Sequence, residues 1–258
     1  MPGSIRLGID SRGRALGLDP FAPRHTVLTG ATRSGKSVQL YNMIVQLRGL
    51  PVTVCGIDPS GIVFNALDDA LGGSAWRVST LRDTEKARDV MDAIVEEMDR
   101  RIDLLLKRKL DKIDDFDSLV PLLVVVLEEY PGTLAALAAA DQAAGLKPAD
   151  RIEPHIRAAI QRLALEGAKV GVRLWIVAQR ADASLLTGVL RSQLTQRLSF
   201  RQDADGVRML HDGITPDQIQ AMQTFRPGVA YAEYAGELPL TLYRADLISY
   251  ADFVRAFE

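Results

Sequence analysis

HTVLTGATRSGKSVQLYNMIVQL (residues 25–47) decides the fold. Its centre, GATRSGKS at residues 30–37, satisfies the pattern G-x-x-x-x-G-K-[ST] at every fixed position. The apolar run before it predicts a strand, and the apolar-periodic SVQLYNMIVQL after it predicts a helix. In that setting the pattern is a phosphate cradle. Gly30 and Gly35 allow the turn that faces backbone N–H groups toward an anion, and the helix N-terminus adds positive potential. The cradle is formed by Gly30, Ala31, Thr32, Arg33, Ser34, Gly35, Lys36, Ser37 and Val38. Lys36 is expected to reach the β- and γ-phosphates, and the Ser37 hydroxyl to ligate Mg2+. ATP and Mg2+ are therefore the expected cofactors.

Outward from this stretch, VTVCGID (52–58), WRVST (76–80), LLVVVLEEY (122–130), VRLWIVAQ (172–179) and QRLSF (196–200) read as strands. Most are apolar throughout rather than alternating, as in a sheet covered on both faces. Helical patterns separate them. In residues 85–108, Met91, Ile94, Met98, Ile102 and Leu105 recur at three- and four-residue steps, and residues 151–171 form a second helix stopped by glycines. Strands alternating with helices imply an α/β fold with a mostly parallel sheet covered by helices. An acidic loop follows the long helix at 110–118, an Ala-rich tract occupies 133–145, and PGVAYAEYAGELPLTLYRAD (227–246) reads as a C-terminal β-hairpin turning at Ala235-Gly236. Residues 1–258 are read as one domain.

A hydrolase acting on ATP needs a carboxylate near Mg2+ at the end of an apolar strand, and a second to activate water. PLLVVVLEEY supplies six apolar residues and then Glu128 and Glu129. Regular strand geometry points them to opposite faces, so Glu128 is assigned to the metal and Glu129 to the attacking water.

Composition narrows the class. The 31 basic and 33 acidic residues give a net charge of −2, so no overall basic character marks a nucleic-acid binder, although a local patch remains compatible. The 47% hydrophobic content is ordinary for a globular chain. The single Cys55 forms no internal disulfide, which suits a reducing, cytoplasmic setting. No apolar run approaches the roughly 20 residues of a membrane span, and the N-terminus lacks a signal-peptide core.

The order of motifs resembles the motor domain of the FtsK/SpoIIIE family of DNA translocases, within the HerA–FtsK group of RecA-like P-loop NTPases. Residues 7–38 are similar to the family's entry segment, GIDPS (56–60) to its IDPK element, and EEMDRR (96–101) to its EMxRR helix. RLALEGAKVGVRLWIVAQR (162–180) resembles the segment ending in TQR, and LLTGVLRSQLTQRLSF (185–200) the ITGxIKxNxxxRIxF segment. Arg33 stands where the family has a frequent Gly, Ser60 for the Lys of IDPK, and Glu128-Glu129 for Asp-Glu. The EEYPG variant (128–132) is similar to plasmid-transfer proteins of the TraSA and TraB type.

The resemblance implies an ATP-dependent double-stranded DNA translocase, for conjugative plasmid transfer or chromosome segregation, working as a ring, a hexamer in the simplest case. Two other readings stay open: a type VII secretion (EccC-like) ATPase moving protein, and a non-hydrolysing nucleotide-binding ring. The family's membrane anchor and C-terminal winged helix are not found in these 258 residues, so the chain is expected to be an excised motor domain or a minimal one, with membrane association only through other domains. By the same resemblance Gln179 senses the γ-phosphate and Arg197 matches an arginine acting on its own or a neighbouring nucleotide. Arg201 is a second candidate, and an ion pair with Asp203 or Asp205 is the plainer alternative. Lys169 and Arg191 match basic residues facing DNA, or are simply surface cations. Asp58, at a strand end, either contributes to the site or caps the next turn. His25, His155 and His211 have no metal-ligand spacing, and Cys55 reads as a small core residue. The basic run Lys107, Arg108, Lys109 and Lys112 reads as a solvated helix end.

Overall fold

A computed structural model describes residues 4–67, 69–181 and 188–258. In chain order the chain forms β1 (Ile5–Asp10), β2 (Ala15–Leu18), β3 (Thr26–Thr29), α1 (Lys36–Val45), β4 (Val52–Ile57) and β5 (Arg77–Val78). There follow α2 (Thr84–Arg108), β6 (Leu122–Leu127), α3 (Tyr130–Ala143), α4 (Ile152–Glu166) and β7 (Val172–Ala178). The remainder comprises α5 (Gly188–Gln193), β8 (Gln196–Phe200), α6 (Ala204–Leu210), α7 (Pro216–Gln223), β9 (Val229–Tyr234), β10 (Leu238–Ala245) and α8 (Tyr250–Arg255). Two compact units result, one of Met1–Leu50 with Val177–Glu258, the other of Pro51–Ile176.

The second unit is the parallel α/β layer expected from the apolar strands. Its strands run β7-β6-β4-β5, every pair parallel, with Val52 opposite Leu122 and Leu123 opposite Val172. All six residues of β6 are buried, which is why no alternation is visible in LLVVVL. Helix α2 starts on an Asp83 cap, whose carboxylate accepts from the Lys86 N–H at 3.1 Å. It buries Ala87, Val90, Met91, Ile94, Met98, Arg101 and Leu105; of the expected stripe only Ile102 is merely half-buried, Arg101 beside it going inward instead. Arg101 is 1% exposed; its Nε donates to Glu97 at 2.6 Å and its Nη1 to the Val170 carbonyl at 3.2 Å. The Ala-rich tract is helix α3, begun with a proline in its first turn, where the missing N–H costs nothing. Glycine stops α4 at Glu166, and a 3-10 turn (Gly167–Val170) completes the expected helical stretch.

The first unit is mixed. Its strands run β2-β1-β10-β9-β8-β3, with β3 parallel to β8 and the other pairs antiparallel. The C-terminal hairpin forms as expected, turning through Gly236 at φ 75. An N-terminal hairpin, β1 with β2, adds to it. Its turn is held by the Asp10 carboxylate, which accepts from the N–H groups of Arg12 at 2.8 Å and Arg14 at 2.9 Å. Helix α8 packs on α1 with the Tyr41 and Phe253 rings stacked at 4.6 Å. Val207, Ile219, Met222, Phe225 and Tyr231 make a smaller apolar cluster beneath α6 and α7.

Candidate nucleotide-binding site

In the first unit β3 ends at Thr29 and the loop turns back over the strand ends. The Gly30 N–H donates to Ala178 O at 3.3 Å and the Ala31 N–H to Arg201 O at 2.7 Å. Gly30 has φ 149 and Gly35 φ 115. A Cβ on Gly30 would lie 2.6 Å from Phe200 Cβ, and one on Gly35 2.8 Å from the Gly228 nitrogen, so only glycine fits either place. Arg33 takes the third left-handed position, at φ 61, with its side chain exposed.

No side chain caps α1, whose N-cap is Gly35. The first-turn N–H groups thus lack the usual side-chain acceptor and carry the positive end of the helix dipole. Lys36 is buried, and its Nζ donates to the carbonyls of Gly30 and, at 3.3 Å, Ala31, which hold the ammonium over the loop. Ser37, the next residue of the helix, is exposed. Beside them a cavity of about 390 Å³ is lined by Gly35, Val38, Pro227, Gly228, Arg244, Ala245, Asp246 and Leu247. This set of groups fits a nucleoside triphosphate with a hard divalent cation: backbone donors and an ammonium for phosphate, one hydroxyl for metal, an open cavity for the nucleoside.

Gln179 joins the loop: the Thr32 hydroxyl donates to its Oε1 at 3.4 Å, and its side chain is exposed. Arg201 brings its carbonyl to Ala31, as above, and its side chain is half-buried. Arg197 stands opposite Val27 in the β3–β8 register. Its Nε donates to Leu194 O at 3.0 Å, its Nη1 to Leu210 O, and the guanidinium is 3.8 Å from Glu233. The acid it meets is Glu233, not Asp203 or Asp205; Asp203 pairs with Arg180 at 3.2 Å and Asp205 with Arg208 at 3.6 Å.

The acidic pair lies in the second unit. The strand does not continue through it. Leu127 ends β6, Glu128 is 8% exposed with its N–H donating to Ile57 O at 2.9 Å, and Glu129 adopts the left-handed conformation at φ 43. The opposite-face argument for their separate roles therefore does not apply, because it required an extended backbone. The pair is instead locked by the start of α3: Thr133 donates its hydroxyl to Glu128 O at 3.0 Å and its N–H to Glu129 O at 2.8 Å. Asp58 caps the next turn, accepting from Ser60 N–H at 3.0 Å, Ser60 Oγ at 2.7 Å and Val63 N–H at 2.8 Å.

Lys169 is exposed at the end of the 3-10 turn, and Arg191 pairs with Asp212 at 3.2 Å. Residues 185–187 of the segment resembling ITGxIKxN lie outside the described residues. His155 meets Asp92 at the surface at 2.6 Å, and Cys55 is buried, its thiol pushed up to about 12 by burial. The cavity residues Pro227, Gly228 and Arg244 were not foreseen; they reach the loop through a fold-back, Gly228 N–H donating to Ser34 O at 2.8 Å, for which the only sequence signal was a Pro-Gly turn.

The FtsK/SpoIIIE family profile matches residues 1–216. DNA translocase FtsK of Helicobacter pylori is 28% identical over 204 residues, which span 78% of this chain and 23% of that protein. Transfer protein TraSA of Streptomyces ambofaciens is 32% identical over 232 residues, 82% of this chain and 52% of that protein. This chain thus spans between about a quarter and a half of the length of these relatives. Among solved structures, the cytoplasmic domain of the Thermomonospora curvata type VII secretion ATPase EccC superposes with a TM-score of 0.73 at 22% identity, over 99% of this chain and 31% of that one. The pCW3 conjugation coupling protein TcpA, in its monomer form with ATPγS, gives 0.71 at 18% identity, over 100% of this chain and 71% of that one. At these identities the structures share the fold, that of P-loop ATPase domains. Among the described residues no helix is long and apolar enough to cross a membrane.

Proposed function

The chain belongs to the FtsK/SpoIIIE family, and from that premise we propose that it is an ATP-hydrolysing motor that moves double-stranded DNA, in plasmid transfer or chromosome segregation. The observation that carries the reading is the loop itself: two glycines that admit no side chain, a helix start with no side-chain cap, and Lys36 held over it. Bound there, ATP supplies a phosphoanhydride for cleavage and Mg2+ neutralises its phosphate charge.

The chain's own residues take these roles. The N–H groups from Gly30 to Val38 and the Lys36 ammonium bind phosphate, and the cavity beside Val38 and Arg244 takes the nucleoside. Ser37 and Glu128 hold the metal, Glu129 accepts a proton from the attacking water, and Gln179 senses the γ-phosphate. One added methylene in Glu128, relative to the family's aspartate, suits a carboxylate that meets the metal through water. Residues 1–258 act as one motor domain and assemble as a hexameric ring. For the arginine acting on a nucleotide in that ring, Arg201 has the better claim. Its backbone abuts the loop, whereas the Arg197 donors are engaged by Leu194 O and Leu210 O. Mixing Lys36→Ala with Arg201→Ala subunits tests this: partial return of turnover supports an arginine acting across the interface, and none at any ratio excludes it.

DNA is gripped by its backbone, which gives affinity without sequence reading, and a chain of net charge −2 does so with a few inward cations. Lys169 is one; Arg191 exchanges Asp212 for phosphate. An ATPase assay with and without long duplex DNA, at low and high salt, decides the matter. Stimulation that fades with salt is expected; none at low salt overturns the DNA reading in favour of a protein substrate.

A further inference from the structure

The first unit contains a buried string of polar side chains that the chemistry above leaves unused. His211, 1% exposed directly after α6, has Nδ1 2.6 Å from Glu233 Oε2 on β9 and Nε2 2.8 Å from Ser199 Oγ on β8. Ser199 Oγ lies 3.2 Å from the hydroxyl of Thr29 on β3, and Gln202 Nε2 donates to that same hydroxyl at 3.1 Å. With His211 neutral and Gln202 Nε2 on Thr29, the bonds run one way, since a carboxylate only accepts and an amide NH2 only donates. Gln202 donates to Thr29, Thr29 to Ser199, Ser199 to His211 Nε2, and His211 Nδ1–H to Glu233. Each proton is used once. The bond from His211 is also the main reason that the Glu233 carboxyl is held below the usual carboxylate range.

Two plainer uses fail. The order serine, histidine, acid is that of an activated nucleophile, but Ser199 is fully buried and no substrate reaches it. Filling the core would favour apolar residues, because a buried polar group is costly unless fully satisfied. What distinguishes the string is where it ends. Thr29 is the residue before Gly30, and Gln202 follows Arg201, whose carbonyl takes the Ala31 N–H at 2.7 Å. The string therefore brackets the first two residues of the phosphate loop. Arg197 pins its far end by donating to the carbonyl of Leu210, the residue before His211.

We propose that His211 is a positioning residue for nucleotide binding, setting the phosphate loop through Ser199 and Thr29; this rests on the nucleotide site proposed above. The backbone N–H groups that the string positions grip phosphate in ground and transition states alike, so the string acts on KM and leaves kcat nearly alone.

The test uses Thr29→Val, which keeps the volume and loses the hydroxyl, Thr29→Ser, which keeps the hydroxyl, Ser199→Ala and His211→Gln. ATPγS affinity, steady-state ATPase and melting temperature are measured on each. Thr29→Val and Ser199→Ala are expected to raise the ATPγS Kd and the ATP KM about tenfold, the effect of one net hydrogen bond, with kcat within about twofold. Thr29→Ser restores both, and the Thr29→Val/Ser199→Ala double variant is no worse than either single one, as for members of one string. If His211→Gln does not fold, Thr29→Val carries the test. An unchanged Kd with a lowered melting temperature in Thr29→Val and Ser199→Ala overturns the inference and leaves the function reading standing. No ATPγS binding by the unaltered chain overturns both.

Discussion

Between β3 and α1 the chain spends the six residues Gly30 to Gly35 on its turn; between β6 and α3 it spends two, Glu128 and Glu129. Both join a buried strand to a helix without a side-chain cap, yet the backbone is bent by different means. The long turn places glycine at two of its three left-handed positions, where the conformation is almost free. The short one forces a glutamate to φ 43, at a cost of roughly 1–2 kcal/mol for an L-residue. Strain at Glu129 persists because Thr133 and Tyr130, both buried, hold the start of α3 in place.

Four experiments break or sharpen this contrast. Lys36→Ala removes the ammonium held over the long turn and should cut turnover by about 100-fold or more; ATPase within twofold of the unaltered chain would mean that the loop is misassigned. Glu129→Gln should still bind ATP while hydrolysis falls by about 100-fold, whereas Glu128→Gln should weaken Mg2+-dependent binding. Reversed phenotypes, read by nucleotide binding with and without Mg2+, would exchange the two roles. Glu129→Gly relieves the left-handed strain and removes the carboxylate together. Urea unfolding should show about 1 kcal/mol of added stability alongside lost hydrolysis, and a loss of stability would show that the turn is not strained. The smallest effect concerns Cys55 in β4, whose thiol is pushed up to about 12 by burial. At pH 8 it should resist a thiol reagent in the folded protein and react at the rate of unfolding, reporting on the second unit alone.

The long turn was legible in the sequence because glycine spacing encodes the backbone directly: nothing else fits where Phe200 and Gly228 close in. The apolar strands and the α2 stripe were legible for the same reason, each pattern having one physical cause. The short turn was not, since an apolar run followed by two glutamates looks the same whether the strand continues or stops. Pro131 was the available signal, as a proline at a helix start marks α3 and so ends the strand earlier. The N-terminal hairpin was missed although Asp10 and Gly13 are turn residues, because IRLGID alternates weakly. His211, Ser199 and Glu233 carry no mutual spacing in the sequence; only the order of β8, β9 and β3 brings them together.

The unit that carries the phosphate loop is assembled from two stretches of the sequence, Met1–Leu50 and Val177–Glu258, whereas the second unit is one uninterrupted stretch, Pro51–Ile176. Thr26 on β3 pairs with Gln196 on β8, 170 positions later. On the ribosome the strand that leads into Lys36 therefore waits, without its parallel neighbour, until the whole of the second unit and then β8 have been made. The inner unit, contiguous in sequence, needs no such delay, and closing its contacts costs less chain entropy. The unit that carries the phosphate loop is consequently completed after the second unit, once β8 has joined β3.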